Sequence, residues 1–291
     1  MAKRLFDIVT DSCCDMTAAY YAENAVDYVN LGFTMNNVNY GGEDGEKIDV
    51  KEFYQKLRDG AMPTTYQVTS ESAKEHIEAH LEKGRDVLVL TFSSALSGTY
   101  GSFDVAARQL GEKYPDRKIF VVDSLCACMG QGLFLDYVVK KADAGATIEE
   151  TRDYAEDLKL HICHHFTVDN LFHLKRGGRV SGMTAIVGSI LKIKPVMHVS
   201  DEGKLTVVGK SMGRRKALHA LFENMMATQD VGENEPVYIA HADCIEDAEY
   251  LKTLIAQKLP KAEILIGDIG AVIGSHAGAG TIAIFNKGTK R

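Results

Sequence analysis

The sequence contains no run of about 18 consecutive apolar residues, the length that predicts a membrane-spanning helix. Its first residues lead directly into a predicted strand, without the apolar core of a signal peptide. We therefore expect a cytoplasmic protein that has no membrane span.

Paired CxxC motifs are also absent, although the chain has six cysteines. Cysteines without paired spacing fit reduced thiols that serve as small apolar side chains. His161, Cys163, His164 and His165 lie close together, but no HExxH motif accompanies them. We therefore expect ordinary packed or exposed side chains there, and we predict neither a metal site nor a cofactor.

Positive charge is not in excess, since the formal net charge is -7. Nucleic-acid binding needs clustered Lys and Arg, and the basic cluster around Arg214 and Arg215 is local. Neither GxGxxG nor GxxxxGK[ST] is present, so no nucleotide-binding fingerprint is found. Nucleic acid is therefore not expected to be a partner.

What the chain does have is an alternation of strands and helices. Residues 6–10, 87–90 and 119–122 are predicted strands, and residues 50–59 form one of the helices between them. This alternation predicts an α/β fold with a parallel sheet. Each of these strands ends in polar residues, namely Asp11 and Ser12, Ser93 and Ser94, and Asp123 and Ser124. Because the carboxyl ends of parallel strands meet at one edge, we expect a polar crevice there that can hold an anion.

Hydroxyl groups are concentrated near that crevice. Ser97 and Gly98 are predicted to begin a helix, whose free N–H groups would face the same anion. Thr65 lies in a polar loop that precedes another predicted helix. Such loops are often simple connectors.

The character of the sequence changes near residue 160, which divides the chain into a first domain, residues 1–160, and a second α/β domain, residues 161–291. Residues 185–199 are predicted to form a helix followed by a strand. Further predicted strands cover residues 205–208, 237–240 and 262–266, with helices at residues 215–226 and 244–259. A glycine-rich loop near the end carries His276, which can donate a hydrogen bond to a carboxylate.

Two functions are compatible with these residues. Residues 209–213 match GxSxG, the motif of a nucleophilic serine, which is Ser211 here. Asp243 or Asp268, together with His276, could complete a catalytic triad with it. A serine of the 93–97 loop is another candidate nucleophile. A serine hydrolase that acts on a lipid or ester is therefore one hypothesis. Hydroxyls and a single histidine without paired carboxylates suit ligand binding better than acid–base chemistry.

Several segments, taken together and in order from Ile8 to Phe285, resemble the DegV family of bacterial fatty-acid-binding proteins. The segments are IVTDSCCDMT, PTTYQVTSES, TFSSALSGTYGSF with VVDS, FTVDNLFHLKRGGRVSG, LKIKP and IGSHAGAGTIAIF. In the family, the loop that here contains Thr65 commonly reads Thr-Ser-Gln-Pro-Ser, so Tyr66 and Val68 are departures from its pattern.

The resemblance implies a two-domain α/β fold that is not itself a catalyst. It implies that a long-chain fatty acid lies in an apolar tunnel, with its carboxylate held by Thr65, Ser93, Ser94 and His276, and with Ser97 and Gly98 contributing through the helix start. It also implies a partner fatty-acid kinase that phosphorylates the bound carboxylate. The basic turn with Arg214 and Arg215 is either solvated surface or the docking site for that kinase.

Overall fold

The computed structural model describes residues 4–180, 193–229 and 235–291. The predicted α/β fold with a parallel sheet is confirmed. The helix predicted within residues 185–192 lies outside the described residues.

The first half of the chain contains two sheets. A four-stranded parallel sheet has the order β2-β1-β6-β7, and a three-stranded antiparallel sheet has the order β4-β3-β5. The strands are β1 (Phe6–Asp11), β2 (Val26–Val29), β3 (Gly32–Met35), β4 (Val38–Gly41), β5 (Thr64–Tyr66), β6 (Asp86–Thr91) and β7 (Ile119–Asp123). The small sheet was not predicted from the sequence, which placed Thr65 of β5 in a loop.

Among residues 4–160, the α-helices are α1 (Ala18–Glu23), α2 (Val50–Arg58), α3 (Ser70–Leu81), α4 (Thr99–Lys113), α5 (Met129–Asp143) and α6 (Ile148–Leu158). Helix α1 starts at Ala18, because Thr17 caps it and a short 3-10 turn, Ser12–Cys14, comes first.

The second half forms a six-stranded mixed sheet with the order β10-β9-β8-β13-β11-β12. Its strands are β8 (Ile162–Thr167), β9 (Ile193–Val199), β10 (Leu205–Met212), β11 (Val237–His241), β12 (Ile264–Asp268) and β13 (Ile282–Lys287). Its described helices are α7 (Phe172–Arg176), α8 (Arg214–Thr228), α9 (Ile245–Lys258) and α10 (Ala271–Ala277). The described strands of this sheet follow residue 161 and those of the other sheets precede it, so the predicted boundary near residue 160 is compatible with the strand order.

One apolar cluster joins the two halves. It contains Leu88 and Leu90 of the parallel sheet, Phe134 and Leu135 of α5, and Phe285 of the mixed sheet. Each of these side chains is almost fully buried. Because burial of each large apolar side chain contributes about 1.5–3 kcal/mol, this shared core stabilises the packing of the two halves against each other. None of the described helices is long and apolar enough to cross a membrane.

A charged network fixes α3 against the edge of the parallel sheet. His80 Nδ1 lies 2.8 Å from Asp7 Oδ2, and His80 Nε2 lies 3.3 Å from Asp27 Oδ2. Hydrogen bonds to Asp27 and Asp7 raise the pKa of His80 to about 9. Burial alone would raise the pKa of Asp7, but hydrogen bonds from His80 and Arg85 outweigh it and lower that pKa to about 2.

We expect His80→Ala to lower the free energy of unfolding by about 1–2 kcal/mol at pH 6, after allowance for solvent screening. The folded pKa of His80 lies above its unfolded value, so its contribution is complete below about pH 6.5 and is lost as the pH rises through about 9. Urea unfolding at pH 6 and pH 10 tests this expectation. The exposed His219, replaced by alanine, is the control, and an equal loss at both pH values would contradict the ion-pair explanation.

Candidate functional site

A cavity of about 330 Å³ lies between loops of the first half and one face of the mixed sheet. This volume is within the range of about 300–1,000 Å³ that is usual for small-molecule sites. Most of its wall is apolar and includes Phe92, Leu96, Phe166, Val199, Leu205 and Phe285. The cavity therefore suits a ligand with a long hydrocarbon part.

The polar groups of the cavity come from both halves of the chain. Thr65 on β5, Ser97 before α4, Arg179 after α7 and His276 on α10 all line it. Thr65 Oγ1 and His276 Nε2 are 2.8 Å apart and hydrogen-bonded. Thr65 and His276, both sequence candidates, are thus brought together although they are 211 residues apart in sequence.

His276 lies on a helix and not on the flexible glycine-rich loop that the sequence predicts. The glycines instead allow close packing: a Cβ on Gly274 would lie 2.5 Å from Tyr54 Oη, so only glycine lets α10 approach α2 this closely. Gly278, with φ of +82°, ends the helix in a conformation that favours glycine. The rigid helix holds the imidazole in one position.

The environment of His276 favours its neutral form. Burial, together with the positive charges of Arg179 and Arg176, lowers its pKa to about 4. Its Nδ1 atom is buried and has no hydrogen-bond partner among the described residues. A Cβ on Gly177 would lie 2.1 Å from this Nδ1, so the glycine leaves room for the ring. A bound anion would offset the two guanidinium charges that face His276.

Arg179 also lines the cavity and is a functional candidate that the sequence did not predict. Its Nε donates a hydrogen bond to Leu96 O at 3.1 Å, and its guanidinium also contacts Gly177 O. These bonds turn the side chain toward the cavity. A buried carboxylate needs an opposite charge beside it. This requirement could have pointed to Arg179, which follows Gly177 and Gly178 in the sequence.

Ser93 and Ser94, the serines that the family resemblance implies at the carboxylate, lie outside the wall of this cavity. Ser93 is fully buried, and its Oγ donates to Gly203 O at 2.9 Å, which ties the loop to the turn between β9 and β10. Ser94 is exposed, and its N–H donates to Asp123 at 3.1 Å. Neither residue lines the cavity, whereas Ser97 does.

Gly98 is the residue before α4 and makes no side-chain cap. A Cβ there would lie 2.1 Å from Gln67 Oε1. Gly98 therefore leaves room for the Gln67 side chain, which lines the cavity next to Tyr66.

The predicted crevice at the ends of β1, β6 and β7 is filled by its own hydrogen bonds. Asp11 is fully buried and accepts from Phe92 N at 2.7 Å and from Cys13 N at 3.0 Å. Burial raises the pKa of Asp11 to about 6 against these bonds. The strand ends meet as predicted, and they support the cavity wall at Phe92 and Cys13.

The GxSxG segment does not form the turn that a nucleophile elbow requires. Ser211 lies within β10, paired with Lys194 in an antiparallel ladder. Asp243, one of the proposed partners, forms an ion pair with Arg58. Within the described ranges, no hydrogen bond joins a histidine to Ser93, Ser94, Ser97 or Ser211, so the hydrolase hypothesis has no geometric support.

The two candidate docking arginines have different surroundings. Arg214 Nε donates to Asp247 Oδ2 at 2.8 Å, and its guanidinium is 3.6 Å from Asp169. Arg215 is exposed and stacks on the Tyr250 ring, 3.6 Å from the centroid. Arg214 therefore has a structural function, and the docking hypothesis now depends mainly on Arg215.

The histidine cluster of β8 is packed into the fold. His164 and His165 are buried, and burial lowers the pKa of both. Across residues 4–180, 193–229 and 235–291, no group of at least three His, Cys, Asp or Glu side chains is arranged to hold a metal ion.

Known proteins resemble this chain over nearly its whole length. The family model described as "Uncharacterised protein, DegV family" matches residues 5–287. A DegV domain-containing protein from Clostridium perfringens is 43% identical over 280 residues, which cover 96% of this chain and 96% of the relative.

Solved structures agree with this match. A DegV family protein from Thermus thermophilus, described for its fatty acid binding, is 30% identical with a TM-score of 0.88, and the alignment covers 98% of this chain and 100% of that one. A stearic acid-binding protein from Eubacterium ventriosum is 26% identical with a TM-score of 0.87, covering 97% of this chain and 98% of that one.

Proposed function

Because the chain belongs to the DegV family, we propose that it binds a long-chain fatty acid in the cavity between its halves. The carboxylate lies at Thr65, Ser97, Arg179 and His276, and the hydrocarbon chain follows the apolar wall. The Thr65–His276 hydrogen bond beside Arg179, at one end of an apolar cavity, is the observation that carries this proposal.

The energetics favour such a ligand. Each buried methylene contributes about 0.8 kcal/mol, so a long chain offsets association costs of several kcal/mol. A carboxylate buried without a partner would cost several kcal/mol. The guanidinium of Arg179, the hydroxyl of Ser97 and the one proton that the hydrogen-bonded Thr65–His276 pair can still donate supply the required partners.

We propose further that the protein carries its ligand and does not transform it, and that a partner fatty-acid kinase phosphorylates the carboxylate. The family resemblance suggests this role, and the exposed Arg215 is the docking candidate. Arg215→Glu should weaken kinase-dependent phosphorylation of bound fatty acid without loss of fatty-acid binding. Arg215→Lys is the control, since it keeps the charge. Phosphorylation at the wild-type rate in Arg215→Glu would exclude this docking site.

Mass spectrometry of the native protein, compared with an organic extract of the denatured protein, tests fatty-acid binding directly. We expect a mass difference that corresponds to one fatty acid per chain, and recovery of that acid in the extract. If the purified protein is empty and delipidated protein does not take up added fatty acid, the proposed function is wrong.

Gly177→Ala should weaken fatty-acid binding about tenfold, because the new methyl group would displace His276 from Thr65 and from the carboxylate. The backbone at Gly177 has φ of −73°, so alanine introduces no conformational strain there. Titration of delipidated protein with palmitate measures the effect. Gly101→Ala is the matched control, because a Cβ at Gly101 meets no atom within 4 Å; equal affinities of the two variants would contradict the prediction.

A further inference from the structure

The residues of β8 and β13 that line the cavity show how the cavity runs along the mixed sheet. His164 and Phe166 of β8 and Ala283 and Phe285 of β13 line it, as alternate residues of neighbouring strands. Phe285 is paired with His164, and Ala283 with Phe166. These side chains form successive rungs along one face of the mixed sheet.

The polar end of the cavity is near the start of β13. Thr281, just before the strand, also lines the cavity, and its Oγ1 donates to Ala277 O at 2.9 Å, next to His276. At about 3.4 Å per residue, Phe285 lies about 14 Å further along the strand. The His164–Phe285 rung is therefore at the inner end, opposite the carboxylate site.

His164 is held rigidly at that end. Its Nδ1 donates to Ile162 O at 3.0 Å, and its Nε2 accepts from Ala127 N at 3.1 Å. The ring meets Phe285 edge to face, with centroids 5.3 Å apart. Both ring nitrogens are thus occupied, and a ligand meets a wall that has no hydrogen-bonding group to offer.

The first turn of α5 closes the space behind this rung. A Cβ on Gly130 would lie 2.3 Å from His164 Nε2 and 2.8 Å from Phe285 Cδ1. The rings have no room to retreat toward α5. A ligand that reaches this rung stops there.

We propose that His164, backed by Gly130 and paired with Phe285, sets the inner end of the cavity and so determines which acyl chain lengths the protein accepts. This inference rests on the proposed fatty-acid binding and identifies the residue that gives it length specificity. His164 contacts the methyl end of the ligand, and its effect is on selection among fatty acids.

The test is a competition among myristic, palmitic, stearic and arachidic acids for delipidated protein, read by native mass spectrometry. His164→Ala and Phe285→Leu both deepen the cavity. For each two acids that differ by two carbons, the ratio of bound longer acid to bound shorter acid should rise about tenfold. Gly130→Ala should push the rings of His164 and Phe285 into the cavity, which shortens it, and so shift the preference toward shorter chains.

Phe166→Leu is the matched control, because Phe166 lies one rung nearer the carboxylate site, where a smaller side chain widens the cavity without deepening it. His164→Ala leaves the Ala127 N–H without its acceptor; if that variant does not fold, Phe285→Leu and Gly130→Ala decide the question. Unchanged length preference in variants that still bind one fatty acid per chain would overturn the inference. Absence of any bound fatty acid in the wild type would instead refute the proposed function itself.

Discussion

Arg179→Ala is expected to weaken fatty-acid binding about a hundredfold, which corresponds to ~3 kcal/mol. The variant leaves a carboxylate in an apolar cavity without the cation that faces it. The hydroxyl of Ser97 and the one spare proton of the Thr65–His276 pair remain as donors, but these neutral groups carry no compensating charge. Titration of delipidated protein with palmitate measures the dissociation constant.

Two further substitutions test whether the charge and the shape of the Arg179 side chain cause the loss of affinity. Arg179→Lys keeps the charge but loses the planar guanidinium, which can donate to a carboxylate and to Leu96 O at the same time. It should therefore recover only part of the affinity. Lys175→Ala removes an exposed charge from the neighbouring α7 and should change the affinity by no more than about twofold. A wild-type dissociation constant in Arg179→Ala would show that the carboxylate binds elsewhere.

Arg291→Ala should lower the free energy of unfolding by about 3 kcal/mol. The guanidinium donates to the carbonyl oxygens of Leu125, Lys159, Ile162 and Ser200, and it also contacts Cys126 Sγ. These groups belong to both halves of the chain, and four carbonyls would lose a charged donor together. Urea denaturation of the full chain measures the change.

The exposed neighbour Lys290 is the control, and Lys290→Ala should remain within about 0.5 kcal/mol of the wild type. Arg291→Lys cannot reach the same set of acceptors and should resemble the alanine variant more than the wild type. Equal stability of Arg291→Ala and Lys290→Ala would contradict the bridging role.

The strands and most helices could be predicted from the sequence because their signals are local. The apolar segment at residues 87–90 is found within β6, and residues 50–59 form α2 almost to the residue. Periodicity and capping residues act over a few positions, so they are visible without tertiary information. The glycines of α10 predicted a flexible loop where the structure has a helix. Gly274 is needed there because Tyr54 packs directly against it, a contact that cannot be seen in the local sequence.

Side-chain direction in the site could not be predicted in the same way. Ser93, Ser94 and Ser97 are chemically identical, and the choice among them depends on Gly203, which is 110 residues from Ser93 in sequence. Arg179 resembles a solvated surface charge until Leu96 O and Gly177 O are seen to accept its N–H groups. Contacts between distant segments decide these orientations.

The hydrogen bond between Thr65 and His276 also has a consequence for the lifetime of the protein in a cell. A ligand held at this bond touches β5 of one half and α10 of the other, so it is bound by the folded chain and not by the separated segments. By mass action, a ligand present at 100 times its dissociation constant stabilises the folded state by about 2.7 kcal/mol. Cellular proteases act on opened chains. Under the proposed function, a chain that has released its fatty acid is therefore degraded sooner than a loaded one, and the supply of fatty acid sets the abundance of its own carrier.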